Sequence, residues 1–242
     1  MSISRFYQNQ LLSLGDCILD EDASHHLAHV LRVKLEAKVI VFNGNGLEYE
    51  GAVKQISKKN VTIELQQSYH VNCESPVALH LVQAISRKDR MDFSLQKAVE
   101  LGVTEITPII TDFSNIKHRE EQFHKKEEHW KKIIISATQQ SGRAVLTRLN
   151  PILSFKQAIQ NIQAEQRLFL SPQAKTSYKT LLSEKPKSVA LFIGCEGGFS
   201  AQEEREALAA GLNAIVLGPR ILRTETATIT TLSVLQYCLG DL

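Results

Sequence analysis

The chain has 242 residues, 43% of them hydrophobic and 22% charged, with 12 Gly and 6 Pro, a composition that excludes collagen-like, mucin-like and disordered classes. Lys and Arg number 28 against 26 Asp and Glu, a formal charge of +2, so any affinity for a polyanion must come from local patches rather than from the overall field. Cys17, Cys73, Cys195 and Cys238 are far apart and form no C-x-x-C pair, which argues against a zinc ribbon or a disulfide scaffold and for free thiols in a reducing compartment.

Residues 1–10 lack the apolar run of a secretory leader, and no apolar stretch approaches the roughly 18 residues needed to span a bilayer. A cytoplasmic protein with no membrane association is expected. Ser24 is placed to cap a short helix carrying Leu27, Val30 and Leu31 on one side. Period-two runs follow at Val39–Val41, Leu47–Val53 and Val61–Leu65, separated by the turns Asn43-Gly44-Asn45-Gly46 and Ser57-Lys58-Lys59-Asn60, which predicts an antiparallel β unit.

After about Cys73 strand-like runs alternate with helical patterns. Strands are predicted at Leu79–Ile85, at Glu105–Thr111 with Pro108 interrupting or edging it, and at Arg167–Leu170, Val189–Ile193 and Ala214–Leu217. Between them fall a helix with Met91, Leu95, Ala98 and Val99 before Gly102, and a second stripe of Phe123, Trp130, Ile134 and Ala137. Ser200–Glu203 is a capping box with Gly211 as the stop, and Thr228, Leu232, Leu235 and Leu239 set a final helix over Thr224–Leu239. This alternation predicts an α/β fold whose sheet is mostly parallel, with domains at residues 1–72 and 73–242.

Two turns directly follow apolar strands. One is Gly194-Cys195-Glu196-Gly197-Gly198-Phe199-Ser200; the other is Leu217-Gly218-Pro219-Arg220-Ile221-Leu222-Arg223-Thr224-Glu225. In open α/β sheets ligands bind beyond the carboxyl ends of strands, where glycine lets a ligand reach peptide groups unobstructed. Neither turn has G-x-G-x-x-G or Walker spacing, which disfavours dinucleotide and P-loop sites. Arg220 and Arg223 suit an anion because their donors form a rigid fork; the alternative is loop-ordering ion pairs with Glu196 or Glu225.

Other features read more plainly. His25 and His29 share a helix face without a third ligand, so no metal site is expected. Cys195 reads as a small turn residue rather than a nucleophile, and Lys117–Lys132 as a solvated helix face interleaved with glutamates. Arg87, Lys88 and Arg90 after a strand, with Arg143 after Ser141-Gly142, offer a basic rim for a polyanion. Arg5 in Ser4-Arg5-Phe6-Tyr7 pairs a cation with aromatics, a combination suited to a base and its phosphate.

The stretches at 193–200 and 217–227, with Ser4–Tyr7, His29–Arg32, Ser86–Val103 and Gln140–Arg143, resemble the bacterial small-subunit ribosomal RNA uridine N3-methyltransferases, a branch of the SPOUT superfamily. The resemblance covers nearly the whole chain. It implies an N-terminal PUA-like β-barrel, a C-terminal domain with a trefoil knot, and a homodimer acting on small-subunit rRNA, in an assembled subunit. It further implies that S-adenosylmethionine is held by three loops: Leu170, Ser171 and Pro172; Gly194, Cys195, Glu196, Gly197 and Gly198; and Leu217, Gly218, Pro219, Ile221, Leu222 and Thr224. Arg220, Arg223 and Glu225 are the expected catalytic residues, and Arg5, Arg32, Arg87 and Arg143 the expected RNA contacts. Cys195 stands where the family usually has proline, and Gln139 where it often has glutamate. The other readings are an inactive RNA-binding or ribosome-assembly protein of the same fold, and an enzyme using another nucleotide.

Overall fold

The computed structural model describes residues 3–57, 59–114, 120–176 and 185–242, with backbone alone at 120–122. The chain divides into two units, Met1–Glu74 with Thr138–Leu146, and Ser75–Ala137 with Thr147–Leu242.

In the first unit the predicted runs become β3 (Lys38–Phe42), β4 (Leu47–Ile56) and β5 (Val61–His70), an antiparallel meander. Two four-residue strands join it: β1 (Ser4–Tyr7) lies parallel to β3, and β2 (Gly15–Ile18) antiparallel to β5, giving the order β1-β3-β4-β5-β2. Alternate residues Val39, Val41, Val53, Val61, Ile63 and Leu65 point inward and form one core with Phe6, Cys17, Leu19 and Leu27.

The short helix α1 (Glu21–His25) continues into a π-helical turn, His26–Val30. Its cap is Asp20, whose side chain accepts from Ala23 N, rather than Ser24. Ser24 is buried instead; its Oγ donates to the Leu19 carbonyl at 3.1 Å and accepts from Val61 N at 3.0 Å, stitching helix to sheet. Burial gave the hydroxyl better partners than a helix end could.

Thr138–Leu146 belongs to the first unit although the sequence pattern assigns it to the second. The reason is a set of polar contacts. Arg5 Nε donates to the Gln139 carbonyl at 3.1 Å and Nη2 to the Arg143 carbonyl at 2.7 Å, while Nη1 pairs with Glu48 and the guanidinium lies over Phe42. Arg143, only 3% exposed, pairs with Glu74 through Nε at 3.0 Å. Both arginines are expected RNA contacts; in this structure their donors are engaged by internal carbonyls and carboxylates. Removing one partner of such a buried pair strands the other charge. Arg143→Ala is therefore expected to lower stability by about 3–5 kcal/mol in urea unfolding. Lys54→Ala, which breaks an exposed pair with Asp16, should leave the urea midpoint nearly unchanged.

The second unit is built on a seven-stranded sheet in which every pairing is parallel, in the order β12-β10-β11-β6-β7-β8, with β9 also on β7. Its strands are β6 (Ala78–Ala84), β7 (Glu105–Ile110), β8 (Arg148–Leu149), β9 (Leu153–Ser154), β10 (Gln166–Leu170), β11 (Ser188–Ile193) and β12 (Asn213–Ile215). Val189 to Ile193 are buried without alternation, as befits a parallel strand covered on both faces. Pro108 lies inside β7, and the fold accommodates it: β8 pairs with Glu105 and Ile106, β9 with Ile109 and Ile110. Proline falls in the gap between these two short strands, where no amide donor is needed.

The described helices are α2 (Lys88–Glu100), α3 (Glu120–Ser141), whose last residues from Thr138 belong to the first unit, α4 (Phe155–Asn161), α5 (Ala201–Ala209) and α6 (Thr224–Leu239). Helix α2 packs on α6, and α4 packs on α5. On the latter side Phe155, Ala158, Ile159, Phe169, Phe192, Ala207 and Leu212 form one core. Both Ser154 and Ser200 carry complete capping boxes, with Gln157 and Glu203 as the third residues. Residues 117–119 of the predicted charged helix face lie outside the described residues.

His80 in β6 places Nε2 2.7 Å from Thr107 Oγ1. Burial pushes its pKa below the ordinary imidazole value, opposed by nearby Glu105 and helped by Arg148. The unfolded chain therefore takes up a proton near pH 6.5 that the folded state resists. Stability should fall as pH drops from 7.5 to 5.5, and His80→Gln should flatten that slope in urea midpoints.

Candidate active site

The loops after β10, β11 and β12 enclose a cavity of about 390 Å³, within the range of small-molecule sites. The first contributes Leu170, Ser171 and Pro172; the second Gly194, Cys195, Glu196, Gly197 and Gly198; the third Leu217, Gly218, Arg220, Ile221 and Leu222, with Thr224 opening α6. Sequence reasoning also placed Pro219 here, but it lies outside the lining. Gln173, Ile193, Phe199, Glu204, Val216 and Ala227 also line it; Ile193, Phe199 and Ala227 fall inside the stretches 193–200 and 217–227 without having been assigned to the cofactor, whereas Gln173, Glu204 and Val216 lie outside both and carry no motif.

Glycine is required in the second loop for two reasons. A Cβ on Gly194 would lie 2.7 Å from the Gly198 carbonyl carbon, so the bend closes only without one. A Cβ on Gly197 would lie 2.8 Å from Phe113 Cβ. The bend is held from beneath by a buried polar chain: Gln83 Nε2 donates to Thr224 Oγ1 at 3.1 Å, and Thr224 Oγ1 donates to the Gly194 carbonyl at 2.7 Å. Thr228 Oγ1 reaches Gln83 Oε1 at 2.7 Å. A lone glutamine in the apolar run Leu79–Ile85 was the available signal for this network. Buried groups satisfied in this way fix one geometry.

Arg220 is an exposed residue of the lining, and among the described residues neither it nor Arg223 forms a salt bridge. The alternative, loop-ordering ion pairs with Glu196 and Glu225, is met by Arg90 of α2 instead, with Nη1 3.6 Å from Glu196 Oε1 and Nε 3.9 Å from Glu225 Oε2. Glu196 Oε1 also accepts from Arg87 N at 3.1 Å. Arg223 precedes α6 with an exposed side chain, and neither it nor Glu225 lines the cavity. Glu225 Oε2 is buried without a hydrogen bond.

Below the second loop, Glu203 accepts from Ser200 N at 2.8 Å and Asp112 N at 2.9 Å. Desolvation pushes its pKa above the ordinary carboxylate value against these bonds. Among the described residues no group of three or more side chains is arranged to ligate a metal, and no helix is long and apolar enough to cross a membrane.

The cleft lies at the carboxyl ends of neighbouring parallel strands and is walled by glycine turns and apolar side chains, the place and make-up of a small-ligand site in an α/β protein. The family model for the RNA methyltransferase domain matches residues 73–236, and that for the RNA methyltransferase PUA domain matches 19–66. Ribosomal RNA small subunit methyltransferase E of Buchnera aphidicola from Schizaphis graminum is 36% identical over 99% of this chain and 98% of its own. The Bacillus subtilis protein of that name is 30% identical over 88% and 86%. Among solved structures, the Neisseria gonorrhoeae ribosomal RNA small subunit methyltransferase E bound to S-adenosylmethionine superposes with a TM-score of 0.92 at 34% identity, covering all of both chains. A Legionella pneumophila protein in complex with the same cofactor does so at 0.96 and 38%, again over both whole chains. The chain belongs to the RNA methyltransferase family, in its ribosomal RNA small subunit methyltransferase E branch, with the SPOUT α/β fold and a PUA-like first domain.

Proposed function

We propose that this chain methylates N3 of a specific uridine in small-subunit ribosomal RNA with S-adenosylmethionine as donor. The observation that carries the reading is the cavity itself, where a wall of glycine turns and apolar side chains meets the uncommitted Arg220. The lining fits the donor: Leu170, Ile193, Leu217 and Leu222 offer apolar walls for a flat purine, and the bared peptide groups of Gly194–Gly198 offer edges for its polar atoms. The sulfonium supplies an already activated methyl group.

What remains for the protein is alignment and charge. Uridine N3 is a weak acid, and losing its proton spreads charge onto the flanking carbonyl oxygens. The role of stabilising that charge is assigned to Arg220, supported by its position in the cavity lining, and contact with the adjacent phosphate to Arg223. Glu225, held near Arg90, orders the loop or accepts the proton. N3 lies on the Watson–Crick edge, so the target base must be unpaired or flipped. Arg32 and Arg87, both exposed, are the basic residues assigned to flanking RNA; Arg32 follows the π-helical turn with a left-handed φ of 51°. The reading includes a homodimer, an assembled small subunit as substrate, and the cytoplasm as the place of action.

Calorimetry with S-adenosylmethionine, followed by transfer of a tritiated methyl group to naked rRNA and to small subunits, tests it. Saturable binding with label entering subunits in preference to naked rRNA supports it; binding without transfer to either favours the inactive RNA-binding protein.

A further inference from the structure

Among the described residues of the second unit, the large apolar side chains left exposed are Phe93, Phe113, Leu208, Ile221, Tyr237 and Leu242. Two of these six belong to the cavity region. Ile221, 85% exposed, is in the lining, and Phe113, 51% exposed, lies against Gly197 of the second loop. A single exposed apolar side chain is ordinary; a rigidly held one beside a ligand cavity is not.

Phe113 sits on a tight turn fixed from three directions. Ser114 N donates to the Thr111 carbonyl at 2.9 Å, and Thr111 N donates to Ser114 Oγ at 3.1 Å. Asp112 N donates to Glu203 Oε1 at 2.9 Å, and Asp112 Oδ2 accepts from Ser200 Oγ at 2.5 Å. The turn is thus tied to the capping box of α5, and its aromatic residue packs on a glycine with no room for a side chain. Burial of hydrophobic surface does not explain the arrangement, because half of the phenylalanine remains in water. An aromatic face presented in this way suits stacking of an unstacked nucleobase, which tolerates any base and needs no hydrogen bond.

We infer that Phe113 is the stacking platform for the extruded pyrimidine of the RNA substrate, a binding residue that orients the base beside the cavity. The inference rests on the proposed rRNA substrate. Loss of one base stack weakens binding by about 5- to 150-fold. Phe113→Ala should therefore raise KM for small subunits at least about fivefold, with S-adenosylmethionine affinity unchanged. Phe113→Leu, which keeps apolar bulk without the ring, should behave like alanine, and Phe113→Tyr should restore activity. A second readout does not depend on turnover. The chain has one tryptophan, Trp130, which is 3% exposed, so Phe113→Trp adds an accessible fluorophore. Its emission should be quenched by a uridine-containing single-stranded RNA of small-subunit sequence, while the parent protein's emission is not. Equal KM values for the alanine, leucine and tyrosine variants, or an RNA-bound complex without quenching of Trp at 113, would overturn the inference. If the parent transfers no methyl group at all, the enzymatic reading fails by itself, and the quenching experiment still decides the stacking role.

Discussion

Arg220→Ala is expected to lower kcat for methyl transfer by about 10²- to 10³-fold, the usual cost of losing a donor aimed at developing negative charge. The affinity for S-adenosylmethionine, read by calorimetry, should change less than about threefold if Arg220 acts on the base, as proposed, rather than on the donor. The expectation rests on the proposed role of Arg220 toward the base, supported by its place in the cavity lining and, among the described residues, the absence of a salt bridge to its guanidinium. Arg223 is exposed but outside the lining, so Arg223→Ala should act more through KM for the RNA than through kcat. Arg220→Lys keeps the charge but loses the fork and should recover only part of the rate. Equal losses of kcat for the two alanine variants would show that the structure does not separate their roles.

Gly194→Ala is expected to abolish cofactor binding at millimolar concentration while leaving the fold intact. The added Cβ would sit 2.7 Å from Gly198 C and 2.8 Å from Gly198 Cα. These are backbone atoms of the same bend and cannot rotate away as a side chain would. The loop must open, and opening disturbs the Thr224 bond to the Gly194 carbonyl together with the peptide groups lining the cavity. An overpacked site of this kind costs roughly 1–3 kcal/mol, which a domain of this size survives. Circular dichroism should show retained structure, and calorimetry should show no heat with S-adenosylmethionine. Measurable binding near the parent's affinity would mean that this bend does not shape the donor site.

The parts legible in the sequence are those dominated by local rules. The last helix ends where its apolar spacing places it, over Thr224–Leu239 despite many β-branched residues, because packing on α2 outweighs their weak strand preference. Ser200–Glu203 caps as its spacing demands. The two ligand loops are visible because glycine is costly elsewhere and so marks backbone bends. The illegible parts depend on partners distant in the chain. β1, β2, β8 and β9 have four residues or fewer, too short for periodicity to register. Arg5 and Arg143 look like surface cations until Glu48, Glu74 and the carbonyls of residues 139 and 143 surround them. The Gln83–Thr224–Thr228 chain joins residues more than 140 positions apart. Phe113 gains its meaning only from Gly197 beside it.

Nucleoside mass spectrometry of small-subunit rRNA incubated with the protein and methyl-labelled S-adenosylmethionine tests the central chemistry most directly. The proposed mechanism predicts one labelled methyl group per subunit, recovered as 3-methyluridine and lost with Arg220→Ala. Label recovered on a ribose hydroxyl, on a base carbon or on a purine would contradict it.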